Sequence, residues 1–231
     1  MSKVAVIGAT GQIGQLITKI LSINNNVSVT GFVRNVEKAM SIFDSSIRLQ
    51  EFSFNSTVDE IERLFNGFDT VIFTAGASAF DKYEDIAMVD LDGAFKVIEA
   101  SEVSNVKRFI IISSINAHNR DFWYNVDVIK VYYAAKRAVD KYLAKTDLDW
   151  TILEPVPLVD EEATGKLRES QDAYDFSLNR YDFANDYLGI KVTRQDVAQF
   201  AFDALQNDKT IKKTIPLING EFSFDEFIEK L

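Results

Sequence analysis

The sequence predicts an α/β fold, a doubly wound parallel sheet with helices on both faces, built as one domain over residues 1–231. Three observations point there. The run Val4-Ala-Val-Ile-Gly8-Ala-Thr-Gly11-Gln-Ile-Gly14 carries an apolar strand into glycines at every third position and then into a helical pattern. Short apolar runs and amphipathic runs then alternate, the rhythm of parallel strands joined by crossover helices. Finally, Phe109–Ile112 is wholly apolar, as a strand covered on both faces must be. A chain of 231 residues is long enough to give such a sheet a well-buried core.

The elements follow in order. After the first strand, Gln12–Ser22 places Ile13, Leu16, Ile17, Ile20 and Leu21 at helical spacing. Val27–Val33 reads as strand two, Asn35–Phe43 as a short helix and Ile47–Phe52 as strand three. Val58–Phe65 is an amphipathic helix whose start is marked by Thr57 and Glu60, spaced as a capping box. Thr70–Thr74 is strand four, and Glu84–Val103 a longer helix on the strength of Ile86, Val89, Phe95, Val97 and Ile98. Residues Ser114–Asp127 read as a loop, Val128–Lys145 as a helix and Trp150–Leu153 as strand six. The stretch from Pro155 to Gly189 is irregular and too long for a bare connection, so short helices are expected within it. Gln195–Gln206 returns to helix, Thr214–Ile218 to strand, and Ser223–Leu231 closes the chain as a helix with Ser223 and Glu226 spaced as a second capping box.

Composition narrows the function classes. The chain has no Cys, which excludes disulfides, thiolate metal sites and cysteine nucleophiles together. A net charge of -10 argues against nucleic acid, because binding a phosphate backbone needs clustered Lys and Arg. No apolar run approaches the roughly 20 residues that span a bilayer. Met-Ser-Lys leads straight into strand one, leaving no room for a signal peptide. A cytoplasmic protein without membrane or nucleic-acid partners, monomer or homodimer, is expected.

The glycine triplet has a physical reading. Gly8 lets the chain turn abruptly from strand to helix, Gly11 leaves bare backbone where a pyrophosphate approaches, and Gly14 lets helix meet sheet. The helix N-terminus then offers N–H groups and partial positive charge to phosphate. The spacing Gly-x-x-Gly-x-x-Gly departs from the form Gly-x-Gly-x-x-Gly. It resembles the short-chain dehydrogenase/reductase superfamily, in particular its atypical and extended members, the NAD(P)-binding epimerase-like and flavin-reductase-like proteins. That resemblance implies a Rossmann-like sheet and a dinucleotide held by Gly8, Thr10, Gly11, Gln12, Ile13 and Gly14.

At the end of strand two, Gly31-Phe-Val-Arg34-Asn35 lacks the acid that would hold an adenosine ribose and repel a 2′-phosphate. Arg34 can grip a phosphate with paired planar donors, so NADP(H) is favoured over NAD(H); Lys38, a helical turn on, could add a second charge. The resemblance expects an Asp after strand three, touching adenine. Here Ser53 stands in its place. It also implies that Ala75, Gly76 and Ala77 pass close to the cofactor ribose, and that Pro155 lines the nicotinamide end, although Val156 replaces the glycine that commonly follows.

Tyr132 and Lys136 stand four residues apart on one helix face. A phenol near its ordinary pKa of about 10 is a poor acid–base group at neutrality, and an adjacent ammonium stabilises its anion. This is the Tyr-x-x-x-Lys pattern of the resemblance, which gives Tyr132 proton transfer, Lys136 a hold on the nicotinamide ribose, and a strand-end serine the orientation of the substrate oxygen. Ser114 is the first choice and Ser113 the second; Tyr133, four residues before Arg137, rivals Tyr132. Glu154 reads as a solvated or paired strand-end acid. His118, the one histidine, reads as a polar loop residue, and no metal site can be built on it. Leu158–Leu188, rich in aromatics, is either a substrate cover or a packing surface. The resulting expectation is an NADP(H)-dependent oxidoreductase acting on a small carbonyl, quinone or flavin. A non-catalytic NADP-binding redox sensor and a nucleotide-sugar epimerase or dehydratase are the alternatives.

Overall fold

A computed structural model of the protein describes residues 1–77, 82–124, 127–169 and 190–231. Its centre is a seven-stranded sheet, every adjacent pair parallel, in the order β10-β6-β5-β4-β1-β2-β3. The strands are β1 (Ser2–Ile7), β2 (Val27–Val33), β3 (Arg48–Glu51), β4 (Thr70–Phe73), β5 (Arg108–Ile112), β6 (Asp149–Pro155) and β10 (Lys213–Leu217). The order reverses at β1 and β4: the chain works outward through β2 and β3, returns to β4, and then works outward the other way. Ligands in open parallel sheets bind outside the carboxyl ends of the strands at such a switch.

Helices cover both faces, and the central strands β4 and β5 accordingly bury both sets of their alternating side chains. On one face α1 (Gln12–Ser22) packs on α8 (Arg194–Gln206), with α9 (Phe224–Glu229) beside them, over Val4, Val6, Ile72, Ile110 and Ile215. On the other, α3 (Val58–Phe65), α5 (Asp92–Val103) and α7 (Asp127–Leu143) cover Ala5, Ile7, Phe73, Phe109 and Ile111. Edge-on contacts of Phe32 with Phe52, Phe65 and Phe68 fill that second layer near the β2 edge.

Both expected capping boxes form: Thr57 and Glu60 start α3, and Ser223 and Glu226 start α9. The helix expected over Glu84–Val103 runs from Tyr83 and contains a π-helical stretch, Ile86–Leu91, between α4 (Tyr83–Asp85) and α5. The loop expected at Ser114–Asp127 contains a short helix, α6 (Arg120–Trp123), whose cap is the Asn119 side chain. The helix expected at Asn35–Phe43 is the single turn α2 (Val36–Ala39). Within the irregular region, β7 (Leu158–Val159) pairs with β9 (Val192–Thr193), and β8 (Lys166–Leu167) pairs with β11 (Phe222–Ser223). Tyr174, Phe176, Tyr181, Phe183 and Tyr187, and the short helices expected around them, lie outside the described residues.

Two buried charges act as fasteners. Arg108, at the amino end of β5, donates to the Asp149 carbonyl, the Thr151 and Thr210 hydroxyls and the Ala204 carbonyl, joining β5, β6 and the end of α8. Burial lowers its pKa to about 10, so it stays charged at neutrality. Asp196, in the first turn of α8, accepts from the Thr164 and Gly165 amides, the Thr164 hydroxyl and the Asn219 amide. It thereby holds the segment before β8 and the chain after β10 against one helix start. Among the described residues no helix is long and apolar enough to cross a membrane.

Candidate cofactor and active site

The turn from β1 into α1 is packed against the end of β4. Gly8 has φ +82°, and a Cβ there would lie 2.6 Å from the Ala75 backbone nitrogen, so both conformation and contact demand glycine. At Gly14 a Cβ would lie 2.3 Å from the Gly8 carbonyl oxygen and 2.7 Å from Thr74 Oγ1. Thr74 in turn donates to the carbonyls of Ile7 and Gly8, locking β4 to the turn.

Gly11 is different. Its backbone is ordinary extended chain (φ -69°, ψ 161°), and a Cβ there would meet only the Gly8 carbonyl oxygen, at 3.3 Å. Packing gives it little reason to be glycine; a ligand lying over it would. Gly11 is also the N-cap of α1, and no side chain caps that helix, whereas Thr57, Thr193 and Ser223 cap α3, α8 and α9. The Gly11 amide donates to the Gly8 carbonyl at 2.9 Å, while the mouth formed with Thr10, Gln12 and Ile13 presents the first N–H groups of α1 and room for an anion. These features fit a dinucleotide pyrophosphate.

Arg34 is exposed at the carboxyl end of β2 and has no hydrogen-bond or ion-pair partner among the described residues. Asn35 beside it is engaged, its side chain capping α2. Ser53 is exposed and its hydroxyl accepts the Asn55 amide in a local turn. Pro155 is buried as the last residue of β6, where its carbonyl accepts the Ile115 amide. Val156 is buried too and continues the sheet by donating to the Leu217 carbonyl, so the chain stays extended where a glycine would have allowed a turn.

Ser114, Tyr132 and Lys136 come together beyond the end of β5. Lys136 is buried; its Nζ lies 2.9 Å from Asp90 Oδ1, 3.4 Å from the Ile112 carbonyl oxygen and 5.5 Å from the centre of the Tyr132 ring. Burial works against its charge, but Asp90, with Tyr132 and Asp140 adding, outweighs burial and raises the Lys136 pKa above its ordinary value. The Tyr132 phenol is also raised, by burial first, with Asp90 adding to the rise and Lys136 and a Ser114 hydrogen bond opposing it. Ser114 Oγ lies 3.2 Å from the hydroxyl of Tyr133, so the serine sits between the two phenols. Tyr133 itself is buried, stacked on Trp123 at 6.1 Å and edge-on to Phe122.

Asp90 was not singled out from the sequence. It comes from the π-helical stretch and clamps two parts of the site, pairing with Lys136 and accepting the Ala77 amide at 2.7 Å. A Cβ on Gly76 would lie 3.0 Å from Asp90 Oδ1 and 3.5 Å from Lys136 Nζ, so the small-residue turn Ala75–Ala77 runs directly past the pair. Its signal was available: an acid four residues after Ile86, in a position where the helix pattern asks for an apolar side chain. Ser113, the second choice, points elsewhere and donates to Asp140 at 2.5 Å. Glu154 is buried and paired, with Oε1 3.6 Å from His118 Nδ1. Among the described residues no group of three or more His, Asp and Glu side chains could hold a metal ion.

Comparison with known proteins gives this geometry its context. A family model described as NAD(P)H-binding matches residues 8–208, from the first glycine of the cradle to beyond α8. The chain belongs to this NAD(P)H-binding family. This family member is 34% identical to the UPF0659 protein YMR090W of Saccharomyces cerevisiae, over 99% of this chain and 98% of the relative. It is also 34% identical to a Bacillus subtilis protein named as an uncharacterized sugar epimerase, YhfK, over 99% of this chain and all of the relative (100%). Among solved structures, the oxidoreductase ylbE from Lactococcus lactis superposes with a TM-score of 0.81 at 30% identity, covering 99% of this chain and 96% of that one. The NAD(P)H-binding chain is thus an atypical short-chain dehydrogenase/reductase-like protein with a Rossmann-like fold.

Proposed function

We propose that the protein is an NADP(H)-dependent reductase of a small carbonyl, quinone or flavin, with Ser114, Tyr132 and Lys136 as its proton-transfer groups. One observation carries this reading: those three side chains meet beside the Gly76–Ala77 turn, on the side of the cradle away from Arg34. The exposed Arg34 guanidinium, unpaired among the described residues, supports a 2′-phosphate and hence NADP(H).

Bound nicotinamide supplies the reducing equivalent. The chain's own part is positional and acid–base. Gly11 and the first turn of α1 hold the pyrophosphate, Lys136 holds a ribose hydroxyl, and Ser114 orients the substrate oxygen by a hydrogen bond. Tyr132 then gives its phenolic proton to that oxygen. Direction follows from charge: Asp90 neutralises Lys136, and Tyr132 is raised above its ordinary value, so the phenol stays protonated at neutrality. A protonated donor suits reduction.

The test is a spectrophotometric screen of NADPH oxidation against quinones, flavins and aldehydes, with Tyr132→Phe as the comparison. Loss of roughly 10²–10⁴-fold in carbonyl reduction by Tyr132→Phe is expected. Turnover untouched by that substitution would remove the proton-donor role, and tight NADPH binding without turnover on any acceptor would favour the sensor. The name of the Bacillus relative favours a second reading, redox-neutral epimerisation of a sugar. In that case, substrate converts with no net consumption of NADPH.

A further inference from the structure

The reductase reading leaves one cleft unused, and that cleft carries charges of both signs. It lies between α7 and the sheet, has a volume of about 260 Å³, and shares no residue with the glycine cradle or with the Ser114, Tyr132 and Lys136 cluster. Its acids are Asp140, from α7, and Glu154, from β6; its cations are Arg137 and Lys141, from the same helix as Asp140. Ile152 and Ala144 add apolar surface. Burial sets the order of these groups, with Glu154 at the floor, Arg137 and Asp140 half-buried and Lys141 at the mouth.

Neither acid is fully served by the protein. Glu154 is 1% exposed, and although its Oε1 lies 3.6 Å from His118 Nδ1, its Oε2 is buried with no hydrogen-bond partner. Asp140 accepts the Ser113 hydroxyl at Oδ2, but its Oδ1 is likewise buried and without a partner. A cluster kept for stability alone would supply a donor to each such oxygen. Burial pushes the Asp140 carboxyl up to about 7, against the Ser113 hydrogen bond and with Glu154 adding, as befits an acid that no cation touches. The cations are under-used as well. Arg137 donates through Nε to the His118 carbonyl at 3.4 Å, and Lys141 has no ion pair among the described residues.

We propose that this cleft binds a small free α-amino acid, with its ammonium on the unpartnered oxygens of Glu154 and Asp140 and its carboxylate on Arg137 and Lys141. The match is one of charge and of donor count. An ammonium brings three N–H donors, enough to serve both buried oxygens, and a carboxylate takes paired planar donors from a guanidinium. A simple amine would leave the cations at the mouth unanswered. A simple anion would enter against two acids. The amino acid's side chain rests on Ile152 and Ala144, which limits it to a short one. Among the described residues no group of His, Asp and Glu completes a metal site there. Binding of this kind needs no turnover and stands apart from the reductase reading.

Calorimetric titration of the full chain with glycine, alanine and serine, above the Asp140 value, tests the assignment. Saturable binding of at least one is expected. For alanine, the controls are alaninamide, which keeps the ammonium and loses the carboxylate, and N-acetylalanine, which does the reverse; each is expected to bind at least roughly ten-fold more weakly. Glu154→Gln and Arg137→Gln should each weaken the amino acid by a similar factor. Arg137 is half-buried and belongs to neither the cradle nor the catalytic cluster, so Arg137→Gln should leave NADPH affinity unchanged, which verifies its fold. Location is read from the single histidine, whose imidazole NMR signal needs no assignment. Glu154 holds the His118 imidazole above its ordinary value, and an ammonium arriving at Glu154 should lower that midpoint. No saturable binding by any of the three amino acids overturns the proposal. So does equal affinity for either alanine derivative, binding untouched by both substitutions, or a His118 midpoint that the bound amino acid does not move.

Discussion

Gly11 and Gly14 look alike in the sequence and do different work. Gly14 is enclosed by the Gly8 carbonyl and Thr74, so Gly14→Ala forces backbone apart and is expected to cost about 1–3 kcal/mol or more of stability. Gly11 is hemmed only by one carbonyl at 3.3 Å, so Gly11→Ala is expected to stay within about 0.5 kcal/mol in chemical denaturation. Its NADPH affinity, followed by fluorescence titration, should nonetheless fall at least roughly ten-fold if the pyrophosphate lies over Gly11 as proposed, because the new methyl would take its place. Equal losses of stability in the two variants would remove the distinction. The sequence made the triplet legible because glycine spacing is a local property. It left Asp90 and Asp140 unread, because their meaning depends on partners from other elements: Lys136 and the Ala77 amide for one, Ser113 and the cleft shared with Glu154 for the other. Both carried a signal all the same, an acid at a helical position that the apolar pattern had reserved.

Elements with local start signals were read from the sequence to within a residue or two. Thr57 with Glu60 and Ser223 with Glu226 bound α3 and α9, since a capping box is written in four consecutive residues. The turn of α6 has only the Asn119 cap and the π-helical stretch has none; the first is also held by the Trp123 indole donating to the Ala117 carbonyl, the second by packing on α7. The start of α8 shows the same dependence at higher stakes. Burial pushes Asp196 up, but donors from Thr164, Gly165 and Asn219 outweigh it and hold the carboxyl below its ordinary value. Its stabilisation is complete above the ordinary carboxyl pKa of about 4 and is lost as pH falls through the lower native value. Asp196→Ala strands those donors, and should cost about 2–4 kcal/mol at neutrality. Hydrogen exchange should show β8 and β11 opening before the central sheet; uniform protection across the chain would contradict this.

At the scale of the whole molecule, the parallel order with its reversal between β1 and β4 puts the glycine cradle and the Tyr132 cluster on one edge of the sheet. A ligand bound there stabilises the native state by about 2.7 kcal/mol at a hundred times its Kd. Thermal melts should therefore rise further with NADPH than with NADH at equal concentration, and Arg34→Ala should erase the difference; a difference that persists in Arg34→Ala would show that another group reads the 2′-phosphate.

Arg108 lies at the opposite edge, where it ties β5, β6 and the end of α8 through four acceptors. The joinery of the sheet is thereby kept apart from its chemistry. Loops at the carboxyl edge can be exchanged, lengthened or recoded for a new substrate while the clamp at the amino edge goes on holding the strands in register. Such a division lets specificity drift without unravelling the scaffold. For an engineer, randomising the carboxyl-edge loops is the safe library, and Arg108 is the residue to leave alone.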